Sequence, residues 1–261
     1  MIPKPRGLDR RYADQFCDAA MADAYAARPP YPAVLDPLFV ELCGGGEARI
    51  LDLGCGPGEL ARRLAPKVSS IVAIDQSAPM IDRGRTLPGG DAPNLRWVNG
   101  RVEETALDGP FTSALAAESF HWFDWQALVP RLAKWIPSRR LVLAERREAR
   151  SPWTGDIAAL LARFSTNRDF EPFDLVDELV KRRLYRVQGR LPLRPQPFTQ
   201  PLEDYVTSFH SRNGFSRARM GDAEVRAFDD GVRAVMAPHA ADGMVTLPIV
   251  TRVVWGRVEI P

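Results

Sequence analysis

The stretch Ile50-Leu-Asp-Leu-Gly-Cys-Gly-Pro-Gly-Glu59 decides how this chain folds. It opens on a short apolar run, Arg49–Leu53, which lacks the polar alternation of a half-exposed strand and follows the glycine cluster Gly44-Gly45-Gly46. Such a run suits a strand buried on both faces. Gly54, Gly56 and Gly58 then leave the strand at alternate positions, and a helical pattern begins at Glu59 and runs to Leu64. Without Cβ atoms the backbone can turn sharply there and let a ligand lie on the peptide planes. In an open α/β sheet ligands bind at the carboxyl ends of strands, which is where this loop sits.

Working outward, Ser70–Asp75 is a second apolar run, and Ser77 with Pro79 supplies an N-cap and a first-turn proline for another helix. Leu95–Asn99, Phe111–Ala117 and Arg140–Glu145 repeat the theme with helical stretches between them. Strands alternating with helices predict right-handed crossovers and a doubly wound, mostly parallel α/β sheet. Before this core, residues 8–42 hold two helical patterns split by Arg28-Pro-Pro-Tyr-Pro32, which is too proline-rich to be helical. After it, 153–185 and 201–238 read as helical, charged and aromatic, while 187–194 and Val245–Val258 read as strands. The expected division is N-terminal helices over 1–42, a ligand-binding core over 43–150, a helical cap over 151–240, and an antiparallel terminal strand over 241–261.

Composition bounds the answer. The chain has 261 residues, 45% hydrophobic and 26% charged, which excludes a disordered chain and fits one large domain with an insertion. A net charge of +2 is too small for a broad nucleic-acid footprint. Only four of the 35 basic residues are lysine. Cys17, Cys43 and Cys55 form neither a CxxC pair nor a cluster at zinc spacing, so no metal is expected. The start, Met1 to Arg6, has no apolar core segment, and no run approaches the roughly 18 apolar residues of a membrane span. A cytoplasmic protein with no membrane partner is expected, as a monomer or homodimer.

The glycine loop has a partner in Asp75, which ends the second strand 21 residues beyond Gly54. A carboxylate there can accept from both hydroxyls of a ribose. A dinucleotide fingerprint wants a last glycine where this chain has Glu59, whose charge would meet the pyrophosphate. A ribose-bearing, positively charged ligand without phosphate fits better, and S-adenosylmethionine is such a ligand.

The loop resembles motif I of the class I S-adenosylmethionine-dependent methyltransferases, and Val72-Ala-Ile-Asp75 resembles their motif II. Tyr25-Ala-Ala-Arg-Pro-Pro-Tyr-Pro32, Gly100-Arg-Val-Glu103 and Phe120-His-Trp-Phe-Asp124 are similar to stretches of the small-molecule branch that includes trans-aconitate methyltransferase-like (methyltransferase type 11) proteins. The similarity covers roughly residues 16–146. It implies a seven-stranded, Rossmann-like methyltransferase sheet with N-terminal helices closing over the cofactor. It implies further that Gly54, Gly56 and Gly58 flank the methionine portion with Asp52 supporting the loop, and that Asp75 holds the ribose. Gln76 and Met80 would line the adenine pocket, and Arg101 and Val102 would give backbone contacts at its edge. Ala117 and Glu118 would run beside the methionine chain, with Tyr25 and Arg28 closing over its carboxylate. Three positions depart from the pattern: Thr112 replaces an aspartate, Ile136-Pro-Ser-Arg-Arg140 replaces a proline-glycine-glycine turn, and Arg101 replaces an acid.

Methyl transfer needs alignment above all, and a base only for a protonated acceptor. His121 is the candidate base, whereas His210 and His239 read as surface histidines. Arg212, Arg217 and Arg219 form a candidate clamp for an acceptor carboxylate. Arg28-Pro-Pro-Tyr31 differs in position and first residue from the motif of nucleic-acid amino-methylating enzymes, so a small-molecule acceptor is expected. Two alternatives stand beside this reading: an NAD-type oxidoreductase, and a catalytically silent S-adenosylmethionine-binding protein.

Overall fold

The computed structural model describes residues 3–192 and 194–260. Residue 193 of the expected strand 187–194, the last residue of the terminal segment and the first two residues of the chain lie outside that range. The N-terminal segment carries α1 (Arg10–Ala13), α2 (Ala19–Ala24) and α3 (Asp36–Cys43), with one-turn 3₁₀ pieces between them. The core alternates β1 (Arg49–Leu53), α4 (Glu59–Leu64), β2 (Ser70–Asp75), α5 (Ala78–Thr86), β3 (Leu95–Asn99), β4 (Ser113–Ala117), α6 (Trp125–Trp135) and β5 (Arg140–Glu148). Ser77 caps α5 as its sequence requires, its Oγ accepting from Met80 N at 3.4 Å.

Strands β1 to β5 are parallel neighbours in the order β3-β2-β1-β4-β5. Their alternate residues feed two hydrophobic layers. Leu51, Leu53, Val72 and Ile74 face one with Trp125, Leu128 and Leu132 of α6. Ile50, Ile71 and Ala73 face the other with Phe39 of α3 and Leu60 and Leu64 of α4. Burial on both faces is why these strands read as unbroken apolar runs.

The remainder holds α7 (Thr154–Phe164), α8 (Leu175–Lys181), β6 (Tyr185–Pro192), β7 (Gln196–Pro201), α9 (Leu202–Phe209), α10 (Asp222–Met236), β8 (Ala240–Ala241) and β9 (Met244–Val258). The antiparallel terminal strand is present: β9 lies between β5 and β6 and pairs both antiparallel. The sheet path β3-β2-β1-β4-β5-β9-β6 therefore has seven strands, and β7 and β8 add to the first half of β9 to make nine.

The stretch 151–240 is not one cap, which corrects the expected division. Leu175, Val176, Leu179, Leu184 and Tyr185 bury themselves in the main core beside α6, so α8 and β6 belong to the sheet layer. Only α7, α9 and α10 with the β7–β9 arm build a separate core, around Phe209, Phe228, Val232 and Met236.

Candidate functional site

A cavity of about 740 Å³ opens at the carboxyl ends of β1, β2, β4 and β5 and runs beneath the cap. The glycine loop is one wall. Gly54 and Gly56 have φ of +62° and +56°, a conformation that disfavours any residue with a Cβ. A Cβ on Gly54 would lie 2.6 Å from Ser119 Cβ, while one on Gly56 would meet nothing nearer than the Tyr25 ring at 3.7 Å. The space over Gly56 is thus cavity, held open between loop and ring. Gly58 differs: it is off the cavity wall, and its Cβ would fall 2.3 Å from the Trp97 indole. Its glycine is required by packing behind the loop.

Asp75 ties the first two strand ends together. Gly56 N donates to Oδ2 and Ser77 N to Oδ1, each at 2.8 Å. Two of about four acceptor positions are used, and the carboxylate lines the cavity. Burial raises its pKa, against the pull of those two amides. Gln76 is fixed from both sides, donating to Ala13 O at 2.7 Å and accepting from Arg101 Nη1 at 2.6 Å. Arg101 also pairs with Asp14 at 2.9 Å, so its guanidinium turns to the N-terminal segment. Met80 packs against Met21 and Ala22 of α2.

Of the residues singled out in the sequence, Tyr25, Arg28, Gly54, Gly56, Asp75, Gln76, Met80, Arg101, Val102, Ala117, Glu118 and His121 all line this one cavity. Asp52 and Gly58 do not. Asp52 is buried within β1, and burial together with the nearby Asp75 pushes its pKa up to about 7.

The polar wall opposite the loop is an ion-pair chain that sequence reading missed. Arg146, at the carboxyl end of β5, pairs with Glu59 at 2.9 Å and Glu118 at 3.2 Å, and its guanidinium lies 4.0 Å from the Tyr31 ring centroid. Glu118 also receives Arg146 N at 2.9 Å and Arg28 Nη1 at 3.3 Å. Burial alone would raise the Glu118 pKa, but the Arg146 and Arg28 charges outweigh it and hold the carboxyl below its ordinary range. Glu118 adopts φ +55°, a strained backbone for a non-glycine residue, and such strain concentrates at functional sites. On the far side Glu59 meets Arg63, which pairs with Asp36. Glu59 thus turns to Tyr31 N, Arg63 and Arg146 rather than the cavity, and its charge would not meet a pyrophosphate there. The position of Arg146 at a strand's carboxyl end was the available signal.

Three further expectations change. His210 is not a surface histidine: it is buried, Nε2 lies 2.6 Å from Asp229 Oδ1, and Nδ1 lies 2.8 Å from Phe215 O. The three-arginine clamp separates, because Arg217 pairs with Asp229 and Arg219 with Asp18. Only Arg212 reaches the cavity. His121 lines the cavity between Trp122 and Phe173. Burial lowers its pKa to about 4, the Glu118 charge opposing and Lys4 and Arg28 assisting, so the ring is neutral at neutral pH.

Residues 50–137 match the methyltransferase-domain family. An uncharacterized methyltransferase of Mycobacterium tuberculosis is 31% identical over 176 residues, which is 66% of this chain and 61% of that protein. The chain thus spans about three fifths of the length of such relatives. The trans-aconitate 2-methyltransferase of Deinococcus radiodurans is 32% identical over 88 residues, 33% of this chain and 32% of that protein. Among solved structures, a Thiobacillus denitrificans S-adenosylmethionine-dependent methyltransferase in complex with S-adenosyl-L-homocysteine aligns with TM-score 0.54 and 16% identity, covering 92% of this chain and 97% of that one. An Anaeromyxobacter dehalogenans protein assigned as a type II methyltransferase aligns with TM-score 0.57 and 20% identity, covering 88% and 97%. The fold is that of the Rossmann-like methyltransferases. Among the described residues no helix is long and apolar enough to cross a membrane, and no cluster of His, Cys, Asp and Glu could hold a metal ion.

Proposed function

We propose, from the methyltransferase-domain match over residues 50–137, that the chain is an S-adenosylmethionine-dependent methyltransferase acting on a small molecule held under the cap. The observation that carries the reading is the pairing of the open glycine loop with Asp75 at one end of the cavity. The residues present fit the cofactor. Asp75 keeps acceptor capacity for ribose hydroxyls, Gly56 leaves space above its peptide, and Tyr25 and Arg28 stand across that space.

Bound there, the cofactor supplies an electrophilic methyl group carried on a sulfonium. The chain's own residues orient and enclose. Arg28 spans the junction of the N-terminal segment and the cap, donating to Ser211 Oγ at 2.7 Å and Ser211 O at 2.6 Å, so both walls are fixed by one side chain. His121, uncharged at neutral pH, can accept a hydrogen bond from an acceptor but is a weak proton sink. An acceptor atom already free of its proton therefore suits this site better than an alcohol or a protonated amine. The match to methyltransferases, rather than Glu59, separates this reading from an NAD-type oxidoreductase.

Calorimetric titration with S-adenosylmethionine and with NADH tests it. The first should bind and the second should not. Asp75→Ala should weaken S-adenosylmethionine by roughly 2–4 kcal/mol, because charge-assisted bonds to the ribose are lost and the loop amide of Gly56 loses its acceptor. Unchanged affinity in a folded variant would remove the ribose assignment.

A further inference from the structure

Beyond the strand ends the cavity continues as a lobe between α7, α9 and β9, lined by Trp153, Ile157, Leu161, Leu247 and Ile249. Its wall is mostly apolar, with Glu148 facing it and Arg212 entering from the turn after α9. The Arg212 guanidinium lies 4.3 Å from the Phe209 ring centroid. Among the described residues it makes no ion pair, and no side-chain hydrogen bond from it is formed, although a guanidinium carries five N–H donors. Arg147 also lines the cavity, exposed and, among the described residues, without an ion pair, whereas the other neighbouring charges are committed elsewhere. Arg28 is spent on Ser211, Tyr25 and Glu118. Glu148, the acid facing the lobe, accepts from Tyr205 Oη at 3.0 Å and from Trp153 Nε1. Glu145 is held by Arg252 at 2.7 Å.

Arg212 is half-buried at the cavity wall, its donors open to a ligand rather than sealed from solvent. A planar fork of donors facing a cavity matches a carboxylate bidentately. We infer that the acceptor is an apolar organic acid, its carboxylate docked on Arg212 and its hydrocarbon body in the lobe between Trp153 and Ile249. This rests on the methyltransferase reading for the word acceptor, but the anion site stands or falls by binding alone.

Octanoate is the probe, with octanamide as its uncharged equivalent, each titrated by calorimetry into the full chain with and without S-adenosylmethionine. Octanoate should bind about 10- to 100-fold more tightly than octanamide, the span that one charge-assisted pair supplies. Arg212→Gln should bring octanoate to the level of octanamide while S-adenosylmethionine affinity stays within about twofold. Arg212→Lys, which keeps the charge and loses the fork, should fall between them and covers the case in which the glutamine variant does not fold. Equal binding of acid and amide, or no binding of octanoate, overturns the inference. So does an Arg212→Gln variant that loses S-adenosylmethionine but keeps octanoate, which would make Arg212 a cofactor residue. If octanoate binds as expected while S-adenosylmethionine never does, the methyltransferase reading fails and the acid site remains.

Discussion

At the scale of single residues, two titratable groups, the buried Asp52 and the half-buried His121, make the molecule's pH behaviour predictable. Asp52 has a folded pKa raised to about 7 by burial and by Asp75, from an ordinary 3.8. A raised carboxyl favours the folded state while protonated, so its contribution is complete below pH 4 and is lost as pH climbs toward 7. At about 1.36 kcal/mol per unit the loss is on the order of 4 kcal/mol at most. Asp52→Asn, neutral throughout, should narrow the fall in urea midpoint between pH 5 and pH 8. A wild-type fall no larger than the variant's would refute the buried acid. His121 has the opposite sense. Its folded pKa of about 4 lies below the ordinary 6.5, so it stabilises the neutral-pH fold and that contribution is lost as pH drops from 6.5 through 4. Proton NMR of its ring should show a midpoint near 4, and His121→Asn should remove no activity limb between pH 6 and 7. A midpoint near 6.5 would restore it as a candidate base.

At the scale of elements, the glycine loop separates residues that serve a ligand from residues that serve the fold. Gly58 and Gly84 both lie under the Trp97 ring, whose Nε1 donates to Gly90 O at 2.8 Å. Gly58→Ala forces a Cβ into that ring at φ +68° and should cost about 1–3 kcal/mol of stability, the usual range for overpacking, read as a lowered melting temperature. Gly56→Ala carries the same backbone strain at φ +56° but an ordinary 3.7 Å contact, so its damage should appear mainly in cofactor affinity. Equal stability loss in the two variants would contradict this division. The loop and strands β1 to β3 were legible in the sequence to the residue, because their signals are local: apolar runs, turn glycines, an N-cap serine. The Glu59–Arg146–Glu118–Arg28 chain was not, since its members come from four segments up to 118 residues apart. His210 misled for the same reason. Its burial is set by α10, through Asp229 and Phe228, which nothing beside it in the chain announces. The helical character of α8 was readable, but not that it packs into the main core rather than the cap.

At the scale of the whole molecule, the N-terminal segment and the cap are fastened to each other more than either is to the glycine loop. Asn213 Nδ2 donates to Tyr12 O at 2.6 Å, Gly214 N to Gln15 Oε1 at 2.9 Å, and Arg219 Nε to Asp18 at 2.7 Å. Arg28 adds its two bonds to Ser211. Residues 12–28 and 208–219 form the wall over Gly56 on one side and carry Arg212 on the other, so a ligand leaving past them needs the two to separate or move off together. Opening and binding are then linked. If the open form cannot hold ligand, a cofactor at 100 times its Kd stabilises the closed form by about 2.7 kcal/mol and slows exchange through that opening about 100-fold. Hydrogen exchange with saturating S-adenosylmethionine should therefore show protection rising in 12–28 and in 208–219 by similar factors. The interior of α10, which packs on its own core around Phe228 and Met236, should change little. Protection confined to residues 54–58 would mean that the clasp does not open for the ligand, and that the cavity is entered along the apolar lobe beside α7.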